Sequence, residues 1–241
     1  MSATPDVPAL RPFSDRSAGI AIATATVVST IFVALDRSGG GTTPAQILAG
    51  IAGLAQLKAV VHGVAIASVC AYGFGYASLA RRLGLQRPQV LAGIVVYLIG
   101  CVAMVGATIV DGFVIPHVAI DAGATPDRIR FAYDTVHYLG IVVNDLAKLG
   151  WLLQAVGALS WSSALLRARG FERTVGVVGV LSSALVCVIV LGSATSMSMT
   201  ALLSVLLAQL LWNIGAASLL MATRGNATSR MENIGPAAAA G

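Results

Sequence analysis

Charge is scarce in this sequence. Only 10% of its 241 residues are charged, against about 25% in an ordinary soluble domain, and mean hydropathy is +0.86. This deficit excludes an ordinary soluble fold. Apolar stretches of about 20 residues or more, the length that crosses a bilayer as a helix, recur along nearly the whole chain. The sequence therefore predicts an integral membrane protein whose first partner is the lipid bilayer.

Cysteine is also sparse, and polar alternation is missing from the apolar stretches. The three cysteines, Cys70, Cys101 and Cys187, each lie inside an apolar run, which excludes a disulfide framework or a Cys-x-x-Cys site. A transmembrane barrel would alternate apolar and polar residues in runs of about ten. These stretches are apolar all round, so the spans are predicted to be helices.

The predicted fold is all-α: a polytopic membrane protein with six transmembrane helices. A cytoplasmic tail, residues 1–16, precedes a transmembrane domain over residues 17–221, and residues 222–241 form a disordered cytoplasmic tail. The spans cover about 17–35, 46–80, 90–115, 133–166, 174–191 and 200–221. Two of them, 46–80 and 133–166, exceed one crossing, so part of each should tilt or project. Pro116 is expected to stop the third span.

Arginine alternates between the two sets of loops. Ten of the thirteen arginines fall in one set, and the other three are offset by neighbouring aspartates; the ten are Arg11, Arg16, Arg81, Arg82, Arg87, Arg167, Arg169, Arg173, Arg224 and Arg230. The positive-inside rule then predicts cytoplasmic N and C termini in the cell (inner or plasma) membrane. The arginine excess over lysine suggests a bacterial source. The net charge is +5, but no aromatic residues are interleaved with the basic residues. This pattern excludes nucleic acid as a partner. A homo-oligomer or a membrane partner protein stays open.

Lysine occurs only twice, and both residues fall inside predicted spans. Lys58 and Lys148 would each cost a few kcal/mol in the middle of a bilayer, on the order of 3 kcal/mol on insertion scales, unless paired or hydrated. Each therefore needs a partner or a cavity. Lys58 shares a helix face with His62, and Asp145 and Lys148 can pair within the fourth span.

These positions predict an intramembrane polar cluster between the second, third and fourth spans. Its members are Lys58, His62, Asp111, His137, Asn144, Asp145 and Lys148. Ionisable residues inside a membrane indicate a functional site by default. The leading hypothesis is a small multi-pass protein that binds or conducts a small solute or ion with proton coupling, since histidine and desolvated lysine can both change charge near neutral pH.

Two further hypotheses remain open. The first is a metal-binding protein or metalloenzyme, in which His62, His117, His137 and Asp111 hold copper, zinc, iron or haem, with Met197 and Met199 assisting Cu(I). The second is a structural or accessory membrane protein whose ion pairs only fix helix packing. P-loop, nucleophile-elbow and His-Glu-x-x-His patterns are missing, so an enzyme is the less favoured class, and no catalytic residue is assigned.

Overall fold

A computed structural model describes residues 14–36, 39–193 and 199–222 of the chain. Its helices are α1 (Asp15–Leu35), α2 (Pro44–Gly53), α3 (Ala55–Leu83), α4 (Pro88–Ile109), a π segment (Val110–Val114), α5 (Ile115–Ile120), α6 (Pro126–Leu165), α7 (Phe171–Gly192) and α8 (Met199–Met221). The described residues form no strand. Six helices are long and apolar enough to cross a membrane, so the prediction of an all-α protein with six spans is confirmed.

Helix starts follow the capping residues of the sequence. The Ser14 hydroxyl accepts a hydrogen bond from Ser17 N–H at 3.2 Å at the start of α1, and the Thr43 hydroxyl accepts one from Gln46 N–H at 3.3 Å at the start of α2. Three starts, those of α2, α4 and α6, place proline in the first turn, at Pro44, Pro88 and Pro126. Proline fits there because its missing N–H would have no partner within the helix.

The second and third spans differ from their predicted bounds. The stretch predicted over 46–80 divides at Leu54, where φ is −99° and ψ is 2°, so the span is α3 and α2 is a separate helix of 10 residues. The third span does not stop at Pro116. It continues as the π segment and α5 to Ile120, because a local change in helix type accommodates the proline.

The bundle places α1 between α3 and α8, and α6 between α4 and α7. Small residues bring α4 and α6 close together: a Cβ on Gly100 would lie 2.9 Å from the Gly150 carbonyl, and one on Gly157 would lie 2.8 Å from the Gly93 carbonyl. Close approach at glycine is a typical way for helices to associate in lipid. The contact explains why α4 and α6 remain side by side.

Four aromatic rings fill the centre of this core. Tyr76 stacks on Trp161, with centroids 5.3 Å apart, and on Trp212, with centroids 6.1 Å apart. Tyr97 lies against Tyr76 and Trp161 from α4. Tyr76 and Trp161 have no exposed surface. This aromatic layer closes the bundle at the depth of Tyr76.

A second hydrophobic cluster lies beyond one end of the bundle. It joins α2, α5 and the first part of α6 through Leu48, Ile51, Ile115, Ala119 and Ala132. We call these three elements the cap. Because α6 has 40 residues, it is about 60 Å long, twice the thickness of a hydrocarbon core. The overlong stretches of the sequence therefore project out of the bundle and pack on one another.

Basic residues mark the opposite end of the bundle. Arg81 lies 3.7 Å from Asp15 at the start of α1, and Arg82 donates a 2.6 Å hydrogen bond to the Leu219 carbonyl near the end of α8. The first span therefore begins and the last span ends on the same side, as an even number of spans requires. The assignment of that side to the cytoplasm stays a prediction. Arg11, Arg224, Arg230 and most of both predicted tails lie outside the described residues.

Candidate functional site

The π segment carries Asp111 and owes its form to Pro116. Pro116 has no N–H to donate to the Gly112 carbonyl four residues earlier, so the regular α-helical bond cannot form there. The Ile115 N–H instead reaches back five residues to the Val110 carbonyl, which is the π-helical pattern. Single π turns of this kind occur frequently at functional sites. Here the widened turn directs the Asp111 side chain toward α3.

Lys58, in the first turn of α3, forms an ion pair with that carboxylate. Its ammonium donates to Asp111 Oδ1 at 3.1 Å and to Oδ2 at 3.3 Å, and lies 3.8 Å from Asp36 Oδ1 at the end of α1. The Lys58 side chain is only 9% exposed, whereas that of Asp36 is 35% exposed. The ammonium therefore joins three elements: α1, α3 and the π segment.

His62 lies one turn further along α3 and faces two hydrogen-bond acceptors. Its Nδ1 lies 2.9 Å from the Lys58 carbonyl, and its Nε2 lies 2.9 Å from Asp111 Oδ2. A carbonyl and an ionised carboxylate can only accept, so both ring nitrogens must carry hydrogen. Since the Lys58 ammonium already donates to both Asp111 oxygens, the carboxylate is the favoured form of Asp111. The geometry thus fits the protonated imidazolium of His62.

We call Asp36, Lys58, His62 and Asp111 the charged cluster. With His62 protonated, the two carboxylates are balanced by the ammonium and the imidazolium. When His62 loses its proton, one negative charge is left over, and one of the two ring nitrogens faces a hydrogen-bond acceptor without a hydrogen to donate. The cluster can therefore hold one positive charge in addition to Lys58, either as a proton on His62 or as another cation.

The cluster lies near the boundary of the hydrocarbon core, not at its centre. Lys58 is about 38 Å from Leu83 along α3, at 1.5 Å per residue, which exceeds a core of about 30 Å. With Arg81 and Arg82 at one membrane surface, Lys58 lies at the other, beneath the cap. The desolvation cost is smaller there than at mid-membrane.

A cavity of about 200 Å³ extends from the charged cluster into the bundle. Asp36 and His62 lie at one end, and Tyr72, about 15 Å further along α3, lies at the other. Hydroxyl and amide groups line it from α1, α6 and α8: Thr26, Ser29, Thr30, Gln154, Gln209 and Asn213. At its inner end the Tyr72 hydroxyl donates to Thr26 Oγ1 at 3.2 Å and lies 3.1 Å from Ser29 Oγ. Beyond Tyr72 lies the aromatic layer.

The remaining residues of the predicted cluster lie elsewhere. His137 and Asp145 are exposed on α6, and the His137 ring contacts Tyr138. The Lys148 ammonium donates to the Ser193 carbonyl at 2.8 Å, just after the end of α7, and the ion pairs among described side chains do not join it to Asp145. Asn144 donates to Asp145 at 3.3 Å. The structure therefore brings together Lys58, His62 and Asp111 and leaves the α6 residues apart.

His117 is exposed on α5, where its Nδ1 lies 2.6 Å from the Phe113 carbonyl. The four predicted metal ligands are therefore not one group. In the part of the chain that the structure describes, the set of side chains with metal-ligand spacing is Asp36, His62 and Asp111, whose ligand atoms lie within 4.8 Å of one another. The Lys58 ammonium already contacts both of these carboxylates. Met197 lies outside the described residues, as does the side chain of Met199.

The haem hypothesis has less geometric support. Bis-histidine ligation of haem needs two imidazoles, each with a free nitrogen, at matched depth on facing helices. Both ring nitrogens of His62 are engaged, by the Lys58 carbonyl and by Asp111, and His137 is exposed on α6. The structure does not bring these two rings together.

Sequence reasoning missed Asp36 and the π segment. Asp36 directly follows the first predicted span, over about 17–35, and the predicted polar cluster does not include it, although an acidic residue at the end of one span is a usable signal for a lysine inside the next. The spacing of Asp111 and Gly112 before Pro116 was the signal for the π segment. Comparisons with protein-family models, with curated proteins and with solved structures returned no match to this chain.

Proposed function

We propose that this protein binds a small solute or ion in its bundle and couples that binding to the protonation of His62. The observation that carries the proposal is the 2.9 Å contact between Asp111 and His62, whose two ring nitrogens each face a hydrogen-bond acceptor, at the end of a cavity that hydroxyl and amide groups partly line. A ligand that brings positive charge to the cluster removes the need for the His62 proton. Ligand and proton then compete, and by linkage each weakens the other.

The position of the cavity indicates the direction of access. It begins at the charged cluster, near the membrane boundary opposite the arginines, and ends at the aromatic layer, where Tyr76 lies about 27 Å from Lys58 along α3 and only about 8 Å from Arg81. A ligand therefore enters from the side of the cap. Passage to the other side would require Tyr76, Trp161 and Trp212 to separate, so this conformation corresponds to a binding state.

Proton release on binding tests the proposal directly. Purified protein in a weakly buffered solution near pH 6.5, with a pH-sensitive dye, is mixed with a panel of inorganic cations, organic cations and neutral solutes. We expect at least one compound to release up to one proton per protein. The variant His62→Gln keeps a donor toward Asp111 but cannot titrate, and it should release none. An exposed carboxylate outside the cluster, Asp134, provides the control Asp134→Asn, which should behave as wild type.

Failure of every compound to release a proton from the wild-type protein would contradict the proposal. The charged cluster would then be an ion-pair network that fixes α1, α3 and the π segment in place. This is the structural or accessory role that the sequence left open.

A metal site is the second candidate, because Asp36, His62 and Asp111 have metal-ligand spacing. Imidazole and carboxylate suit zinc, iron or copper. A divalent ion would have to displace both the Lys58 ammonium and the His62 proton. Metal analysis of the purified protein separates this candidate from the first.

A further inference from the structure

The class of ligand follows from the charge and the walls of the cavity. We infer that the cavity takes a small organic monocation: an ammonium group attached to an apolar or aromatic body. This inference rests on the proposed function, since it names the solute that exchanges with the proton.

The charged cluster indicates that the ligand carries a positive charge. Asp36 lines the cavity, and its closest ion-pair contact with Lys58 is longer, at 3.8 Å, than the 3.1 Å between Lys58 and Asp111. Asp111 is engaged by both Lys58 and His62, whereas 35% of the Asp36 side chain is exposed. The Asp36 carboxylate is thus only partly neutralised by Lys58, so it can attract a cation in the cavity.

The side chains that line the cavity indicate that the rest of the ligand is apolar or aromatic. Aromatic and apolar side chains from four helices form much of the lining: Tyr72, Tyr97, Trp151, Met104, Val69 and Leu210. Aromatic faces attract organic ammonium groups through cation–π contacts. A small hydrated metal ion would gain little from such walls, because hard cations prefer oxygen ligands.

The volume of the cavity limits the size of the ligand. An engineered apolar cavity of about 150 Å³ binds benzene, so a cavity of about 200 Å³ admits a single ring with a small substituent. Near the inner end the amide groups of Gln154 and Gln209 and the hydroxyl groups of Thr26 and Ser29 can bind a polar substituent. The ammonium would lie by Asp36 and the body would point toward Tyr72.

The charged groups that face His62 are Asp111 from the π segment, Asp36 from the end of α1 and Lys58 from its own helix. A cation beside Asp36 therefore acts on the same carboxylate pair that holds the His62 proton. One proton exchanged for one monocation gives an affinity that changes at most tenfold per pH unit, rising as pH rises.

Calorimetry with three probes tests the inference. Benzyltrimethylammonium carries a permanent positive charge, benzyl alcohol is neutral and phenylacetate is negative. Each is titrated into the wild-type protein in nanodiscs, with protein-free nanodiscs as the blank. We expect saturable one-to-one binding of benzyltrimethylammonium and binding at least tenfold weaker for the other two probes.

Asp36 is then varied. We expect Asp36→Asn to weaken benzyltrimethylammonium at least tenfold and to leave benzyl alcohol unchanged, while Asp36→Glu restores most of the binding. Asp134→Asn controls for the loss of one acidic charge elsewhere. The comparison of probes on the wild-type protein remains decisive should a variant fold poorly.

The outcomes separate the two proposals. Equal affinity for benzyl alcohol and benzyltrimethylammonium, or no binding of the latter, overturns the organic cation, and proton release by an inorganic cation would still support the proposed function. Binding of benzyltrimethylammonium with an affinity that is constant from pH 5 to pH 8 supports the organic cation and overturns the proton coupling.

Discussion

Gly112 lies directly against the imidazole of His62. A Cβ atom at position 112 would lie 2.6 Å from His62 Cγ and still closer to His62 Cβ. The π segment can approach α3 closely enough for Asp111 to reach His62 only because this residue has no side chain. Glycine here serves close approach, since its backbone angles are not in the left-handed region.

Gly112→Ala should therefore separate the two elements. We expect a loss of roughly 1–3 kcal/mol of stability from overpacking, seen as a lower melting temperature in detergent, together with loss of proton release. Gly63 is the matched control, because it is next to His62 on α3 and a Cβ there meets nothing within 4 Å. Gly63→Ala should be neutral or slightly stabilising. Equal melting temperatures for the two variants would contradict the close contact.

Removal of the Lys58 ammonium should turn the charged cluster into a metal site. Lys58→Met leaves two carboxylates and His62 with ligand atoms within 4.8 Å of one another and without a resident cation. We expect this variant, but neither the wild-type protein nor Lys58→Arg, to bind one equivalent of Zn²⁺ or Co²⁺. Visible absorption of Co²⁺ and zinc stoichiometry after dialysis are the measurements. One equivalent of zinc in the wild-type protein would favour the metal hypothesis instead.

Lys148 should have a structural role at the end of α7. Its ammonium donates to the Ser193 carbonyl at 2.8 Å, and a cation near a helix C-terminus is favoured by the helix dipole. Lys148→Met should cost about 1.5–3 kcal/mol, the range for a hydrogen bond to a charged group. Hydrogen exchange of the amides at positions 190–193 should accelerate about tenfold or more, with cation binding unchanged. If Lys148→Met instead lost cation binding while the amides at positions 190–193 exchanged at the wild-type rate, Lys148 would belong to the functional site.

Tyr76 links the aromatic layer to the cavity. Its hydroxyl donates to Asn213 Oδ1 at 2.5 Å, and its ring stacks on Trp161 and Trp212. Tyr76→Phe keeps the stacks but leaves a buried acceptor unpaired, which should cost about 1–3 kcal/mol. Tyr76→Ala also opens a cavity in the core and should cost about 3–5 kcal/mol. Chemical unfolding in mixed micelles measures both, and equal losses would show that packing of the ring contributes little.

The sequence predicted the six spans, but their bounds only where a clear signal was present. Ser14, Thr43 and the prolines that begin α2, α4 and α6 mark helix starts through local chemistry. Leu54 is different, because the adjacent Gly53 is a weak helix former, yet Gly63 and Gly73 lie inside the continuous helix α3, so glycine alone does not mark the break between α2 and α3. The break depends on packing of Leu48 and Ile51 against α5 and α6, which is a long-range property.

In the candidate site, too, the sequence identified the unusual residues, but only the tertiary structure showed which of them are in contact. Lys58, His62 and Asp111 stood out in the sequence because ionisable residues are rare in apolar helices. Asp145 and Lys148 stood out equally, yet the tertiary structure places Asp145 on the surface of α6 and joins Lys148 to the end of α7. Helical spacing could show that residues share a face, but could not show which neighbouring helix that face meets.

The sequence by itself determined that this chain has six segments long and apolar enough to cross a membrane, and it predicted that ten of the thirteen arginines lie in one set of loops. Both follow from transfer free energies of single residues and short segments, which do not depend on partners. Only the tertiary structure decided which acids meet Lys58 and His62, that a cavity begins beside them, and that Gly112 admits the contact. Those features depend on distances between α1, α3 and the π segment, and such distances are set by packing across the bundle.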